Sequence, residues 1–259
     1  MEQTRFFAST SGDELFLRTW RPSLPARAVL LIVHGLSEHS GRYEHVARFL
    51  AHKGMVVYCH DHLGHGRSGG PRGWVPSFDC FLDDLAAVHA LAVDENPGLP
   101  FFLLGHSMGG LITAAYLLER ERKPDFVVLS GPAIVPILDP GDRRIDPTRL
   151  SKDTEVQRAY MEDPLVLRER VTDELFMRLA DGLAYLPGRA GELGLPTLLL
   201  HGGEDLLCSA EGAEAWLRAS GVEDLTAKIY PGGRHEMFNE TNRDEVLADL
   251  WEWMERRLG

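Results

Sequence analysis

The sequence predicts an α/β protein built on a mostly parallel sheet with helices on both faces. Three observations carry this. Uninterrupted apolar runs recur along the chain, amphipathic helical patterns lie between them, and one run ends in a glycine-flanked serine that opens the next helix. Continuous apolar runs mark strands buried on both faces. Strands alternating with helices close into a parallel sheet covered above and below.

The elements follow in order. Glu14 to Trp20 alternates apolar and polar residues and reads as an antiparallel edge strand. Val29–Val33, Met55–Tyr58, Phe101–Leu104, Phe126–Leu129 and Thr197–Leu200 are continuous apolar strands, and Leu225–Tyr230 is a further one. Helical patterns cover Tyr43 to His52, Ser77 to Val93 and Arg243 to Leu258. In the second of these Phe78, Phe81, Leu82, Leu85 and Val88 share one face. Residues 132 to 190 break the alternation with a connection far longer than usual. The stretch is proline-rich at first and then shows helical spacing at Leu175, Leu179 and Leu183, so it reads as a cap inserted between two strands. The expected organisation is a core of residues 1–131 and 191–259 with a cap over 132–190.

Bulk properties narrow the function. The net charge of −12 argues against nucleic acid, which needs clustered Lys and Arg, and against strong docking on anionic lipid. Three cysteines, Cys59, Cys80 and Cys208, have no metal-ligand spacing and fit a reducing compartment. The start, Met-Glu-Gln-Thr-Arg-Phe-Phe, lacks a basic region and an apolar signal core, and no apolar run approaches the ~20 residues that cross a bilayer. A soluble, cytoplasmic protein is expected, with peripheral contact at membranes left open.

The chemistry centres on Gly105-His106-Ser107-Met108-Gly109-Gly110, which follows the strand Phe101–Leu104 and precedes a helical pattern through Leu111, Ile112, Ala115 and Leu118. Strand, tight turn and helix around G-x-S-x-G form a nucleophile elbow, which lifts the hydroxyl out of the sheet and sets the Met108 N–H at a helix N-terminus. A serine needs a base, and the base needs a carboxylate to fix its tautomer. The expected chain order is serine, carboxylate, histidine, each in a loop at the C-terminal edge of the sheet. Asp205, in His201-Gly202-Gly203-Glu204-Asp205, fits the second place; Glu204 competes, but the turn suits a shorter side chain. His235, in Pro231-Gly232-Gly233-Arg234-His235-Glu236, fits the third. The loop His34 to Tyr43 is placed to supply the other oxyanion donor, the Leu36 N–H.

These motifs resemble the α/β-hydrolase fold and, within it, the monoacylglycerol lipase family. The likeness rests on His34-Gly35-Leu36-Ser37-Glu38-His39-Ser40-Gly41-Arg42-Tyr43, on Asp61-His62-Leu63-Gly64-His65-Gly66-Arg67-Ser68-Gly69-Gly70, on Gly105 to Gly110, on Ser151 to Val156 through Tyr160 to Leu165, on Asp205 to Cys208, and on His235 to Glu240. It implies an eight-stranded sheet and hydrolysis of monoacylglycerol to fatty acid and glycerol, with no metal or other cofactor. Ser107 would be the nucleophile, His235 the base and then the acid, and Asp205 the orienting carboxylate. The family pattern implies a polar glycerol pocket, for which Glu38, Arg42, His106, Glu155 and Tyr160 are candidates. It also implies an apolar acyl tunnel, for which Ile134, Val135, Ile137, Leu138, Leu175, Phe176 and Leu179 are candidates. Glu38 and Arg42 equally fit a local ion pair that braces the oxyanion loop, and for most of the apolar residues plain cap packing is the favoured reading. The Asp61–Gly69 motif reads as structural. Cys208, close after Asp205, reads as a thiol near the site. An amphipathic cap would favour transient contact with a membrane surface, which the acidic charge opposes.

Several readings compete. A general carboxylesterase or lysophospholipase would share the triad without the glycerol preference. A peptidase of this fold would need acidic groups to hold a substrate amine. Dehalogenases and epoxide hydrolases use an aspartate nucleophile, so Ser107 argues against both. A catalytically silent binding module is the alternative of a different kind.

Overall fold

The computed structural model describes residues 1–137, 145–168, 171–189 and 192–258. Its strands are β1 (Glu2–Ala8), β2 (Glu14–Trp20), β3 (Ala28–Val33), β4 (Met55–His60), β5 (Phe101–His106), β6 (Phe126–Ser130), β7 (Thr197–Gly202) and β8 (Leu225–Tyr230). They form one eight-stranded sheet in the order β1-β2-β4-β3-β5-β6-β7-β8. β2 pairs antiparallel with β1 and β4, and the other neighbours pair in parallel. This is the α/β-hydrolase fold.

The strand expected at the edge, Glu14–Trp20, is not the edge strand. β1 pairs along its whole length and takes that place. Its Glu-Gln-Thr-Arg start carries too little apolar periodicity to announce a strand, and most of it stays exposed.

Burial explains the layers. Alternate residues of β3 enter opposite cores: Val29, Leu31 and Val33 on one face, Ala28, Leu30 and Ile32 on the other. The first core is covered by α2 (Phe78–Glu95) and α3 (Met108–Glu119). The second is covered by α1 (Glu44–His52) and the C-terminal helix, α8 (Arg243–Glu255). Such burial is worth roughly 25 cal/mol per Å² of apolar surface, and both faces of the central strands are fully closed to solvent.

Between β6 and β7 lie α4 (Pro147–Leu150), α5 (Thr154–Glu162) and α6 (Asp173–Leu183). Each begins at a side chain that accepts from the first turn: Asp146, Asp153 and Thr172. α6 packs across α2 and α3, with Gly182 set against the Phe78 ring. α7 (Ala210–Ala219) follows β7. The segment is pinned to the core by polar contacts: Leu167 N–H donates to the Ser37 carbonyl at 2.9 Å, and His39 Nε2 meets Asp163 Oδ2 at 2.9 Å. On the other side Glu236 N–H donates to the Leu150 carbonyl at 2.8 Å. No helix among the described residues is long and apolar enough to cross a membrane.

Candidate active site

β3, β5, β7 and β8 are parallel, so the loops after them gather at one edge of the sheet. Ser107 caps α3 with φ 53° and ψ −119°, a backbone setting that a non-glycine residue holds only under constraint from its surroundings. That constraint is visible. Ser107 N–H donates to the Ser130 carbonyl, and the Ser107 carbonyl accepts from Gly110, Leu111 and Ala133. Gly109 admits the close approach, since a Cβ there would stand 2.0 Å from the Val33 carbonyl oxygen.

The structure brings Ser107, His235 and Asp205 together. His235 Nε2 lies 2.8 Å from Ser107 Oγ, and His235 Nδ1 lies 2.8 Å from Asp205 Oδ2. Nδ1 faces a carboxylate and so carries the proton, which leaves Nε2 to accept from the hydroxyl. The Asp205 carboxylate is full: Oδ1 accepts from Leu207 and Cys208 N–H, and Oδ2 also meets His201 Nε2 at 2.9 Å. Glu204 points elsewhere and pairs with Lys152 at 2.8 Å.

The charges are strongly coupled. Burial works against the Asp205 carboxylate, but His235 and His201 hold it well below the usual carboxylate range. Burial likewise lowers the His235 imidazole, yet Asp205 first, then Glu236 and Glu38, leave it raised above its ordinary value. His106 is driven down to about 3 by burial and by the neighbouring His235 ring, whose centroid is 4.9 Å away. It therefore stays neutral, with Nδ1 2.9 Å from the Ser130 carbonyl.

A cavity of about 220 Å³ opens beside Ser107. Its apolar wall includes Leu111 and the α6 residues Phe176, Leu179, Ala180 and Leu183. Its polar lining includes Glu38, His106, Tyr160 and Glu236. Leu36 and Met108 also line it, and Met108 opens α3, where the first N–H groups have no acceptor within the helix.

Other expected residues fall differently. Arg42 stands behind the polar lining, joined to Glu38 Oε2 at 3.1 Å and to Glu236 through two bonds of 2.5 and 2.7 Å. Its guanidinium lies over the Tyr160 ring, 5.1 Å from the centroid. Glu38 also accepts from Gly35 N–H and Tyr43 Oη, so it braces the loop after β3 while facing the cavity. Glu155 is not brought to the site: it lies on the solvent side of α5 and pairs with Arg158. Leu175 and Ile134 are buried in the apolar core under α6, not along the cavity. Val135 and Ile137 are exposed, and Leu138 lies outside the described residues. Cys208 lines the cavity as a buried thiol, raised by burial and by Asp205. Glu236 and His201 carried no separate signal in the sequence, because each matters through a partner in another loop or strand. Among the described residues no group of three or more His, Cys, Asp or Glu side chains converges on a point that could hold a metal ion.

Fold and site define a serine hydrolase of the α/β-hydrolase class. The family described as serine aminopeptidase, S33, matches residues 25–242. A monoacylglycerol lipase from Mycolicibacterium smegmatis is 35% identical over 97% of this chain and 96% of its own. The human monoglyceride lipase is 32% identical over 96% of this chain and 89% of its own. Among solved structures, the monoacylglycerol lipase of Paleococcus ferrophilus superposes with a TM-score of 0.81 at 30% identity, covering 92% of this chain and 97% of that one. The chain belongs to the S33 serine-hydrolase family, in its monoacylglycerol lipase branch, and is a carboxylic ester hydrolase.

Proposed function

We propose that the chain cleaves monoacylglycerol to fatty acid and glycerol through an acyl-enzyme on Ser107. His235 Nε2 takes the Ser107 proton as Oγ attacks the ester carbonyl carbon. The oxyanion is held by the Leu36 and Met108 N–H groups, a contribution of roughly 10²- to 10³-fold per donor. His235 then protonates the departing glycerol oxygen. Water, losing a proton to the same imidazole, attacks the acyl carbon; the acyl–Oγ bond breaks, the imidazolium returns that proton to Ser107 Oγ, and the fatty acid leaves. Asp205 keeps Nδ1 protonated and stabilises the imidazolium. No step calls for a metal or another cofactor.

The observation that carries the substrate is the asymmetry of the cavity. One wall is the apolar stripe of α6, suited to an acyl chain, and the other end presents Glu38 and Glu236. Between those two carboxylates stands the single guanidinium of Arg42. A neutral glycerol head can donate hydroxyls there, whereas the phosphate of a lysophospholipid would meet two carboxylates. The relatives' names as monoacylglycerol lipases support the same substrate.

Residues 132–190 act as the cap in this reading. Val135, Ile137 and Leu206 leave apolar surface exposed next to the cavity residues Pro136 and Leu207. That rim is suited to brief contact with an uncharged lipid surface, and the net charge of −12 disfavours anionic bilayers.

The test is hydrolysis of 1-monoacylglycerols of graded chain length beside lysophospholipid, di- and triacylglycerol and an aryl ester, in wild type and Ser107→Ala. Monoacylglycerol should lead and the variant should be inactive. Turnover of the aryl ester or lysophospholipid alone would leave the triad and remove the substrate assignment. A serine-reactive phosphonate that fails to label Ser107 would favour the silent binding module.

A further inference from the structure

His201 is the penultimate residue of β7 and is fully buried. Its Nε2 has two neighbours, Asp205 Oδ2 at 2.9 Å and the Cys208 carbonyl at 3.2 Å, and both are acceptors. Nε2 therefore carries a proton. Its Nδ1 is buried with no hydrogen-bond partner among the described residues. A buried ring nitrogen left without a partner destabilises the fold. A leucine would fill the slot without that cost, so packing alone does not account for an imidazole here. What the imidazole supplies is an N–H aimed at Asp205 Oδ2, the same oxygen that His235 Nδ1 uses at 2.8 Å.

Resting on the triad reading above, we propose that His201 is a positioning residue for the reaction: its Nε2–H locks the Asp205 carboxylate and draws off part of the charge that Oδ2 offers to His235. The two backbone donors hold Oδ1, but a carboxylate held at one oxygen can still twist about its Cβ–Cγ bond. His201 fixes the second oxygen in line with His235. It also divides the negative charge of Oδ2 between two N–H groups, which limits how strongly the His235 imidazolium is stabilised.

The other groups that face His235 come from separate elements. They are His106 at the end of β5, Glu38 in the loop after β3, the adjacent Glu236 and, through its pair with Glu236, Arg42. His201 does not line the cavity, so substrate affinity should not depend on it.

The experiment uses the full chain, a short-chain aryl ester and rates normalised to phosphonate-labelled Ser107. In His201→Leu, kcat should fall about tenfold with KM unchanged, since a bond to a charged group is lost. The acid limb of the kcat/KM profile should move up by about 0.5–1 unit, because Oδ2 then serves His235 alone. In His201→Gln an amide N–H can reach the same oxygen, and both effects should largely revert. Wild-type kcat and acid limb in His201→Leu would overturn the proposal. Equal damage in His201→Leu and His201→Gln, with no displacement of the acid limb, would overturn it as well. Should His201→Leu not fold, ¹⁵N-histidine NMR of the wild type decides. His201 must be protonated on Nε2, and its signal must respond when His235 titrates; a proton on Nδ1 in place of Nε2 would sink the idea. Failure of phosphonate to label wild-type Ser107 would instead break the triad reading, and the same NMR spectrum would still decide the His201 bond.

Discussion

Arg42 and Glu236 meet face to face, the two guanidinium nitrogens 2.5 and 2.7 Å from the two carboxylate oxygens. This bidentate pair joins the oxyanion loop to the loop that carries His235. Both partners are almost closed to solvent, so the pair is more costly to break than a surface pair. Glu236→Gln keeps the shape and removes the charge. Unfolding in urea should show a loss of about 3 kcal/mol or less, the lower end for a broken buried pair, because Arg42 retains Glu38. The same variant should move the acid limb of kcat/KM downward, since Glu236 helps to raise His235. An unchanged limb would separate Glu236 from the electrostatics of the base.

In the proposed mechanism His235 must be neutral to accept the Ser107 proton. Its imidazole is raised above the ordinary 6.5, chiefly by Asp205 against burial. Activity should therefore be full in mild alkali and fall as pH drops through a value above 6.5, read from kcat/KM, which reports the free enzyme. Asp205→Asn should cut kcat by about 10⁴-fold, because the amide favours the wrong tautomer. A midpoint below 6.5 in the wild type would contradict the charge arrangement.

Phe176, Leu179, Ala180 and Leu183 line the cavity at successive turns of α6. From the first to the last the helix rises roughly 10 Å, enough to flank several methylenes of an acyl chain. Ala180 is the small member of the stripe. Ala180→Phe should leave short-chain ester hydrolysis intact and lower kcat/KM for long-chain monoacylglycerol by about 5- to 160-fold, the effect of roughly 1–3 kcal/mol of overpacking. Parallel losses on short and long chains would place the acyl group elsewhere.

At the start of the loop after β3, His34 lies buried together with His60, His62 and His65, with the His34 and His62 rings 4.1 Å apart. Burial lowers His60 and His65 to about 4 and, with the neighbouring rings, holds His34 and His62 well below 6.5. The unfolded chain binds these protons near pH 6.5 and the folded chain does not. Their contribution is thus whole above about pH 6.5 and is lost as pH falls towards about 4, at about 1.4 kcal/mol per pH unit for each proton of difference. His60 has no hydrogen bond at either ring nitrogen among the described residues. His60→Leu should flatten the fall in stability between pH 6.5 and 4.5, measured by urea unfolding. An unchanged slope would assign acid sensitivity to other groups.

Much of this molecule is legible in the sequence where local pattern and chemistry coincide. Val29–Val33 reads as a strand because both its faces are buried, and Ser107 reads as an elbow because its glycines admit only one turn. Asp205 and His235 are legible through their place after strands. Leu175 shows the limit: helical spacing marks an apolar face but not whether it meets the core or a cavity, and Leu175 went to the core while Leu179 went to the cavity. Glu155 shows another, since a charge on a short helix gives no sign of which way it turns. Glu236 needs Arg42, 194 positions away, before its role is visible.

The Ser37 carbonyl, beside the proposed Leu36 donor, accepts from Leu167, and His39 in the same loop holds Asp163. Both anchors belong to the segment between β6 and β7. Grafting that segment from a relative to change substrate range would therefore also disturb the alignment of the oxyanion loop. If that segment selects the substrate as proposed, turnover and selectivity are inherited as a single trait, and a chimera must carry compatible residues at both ends of these two contacts to keep its speed.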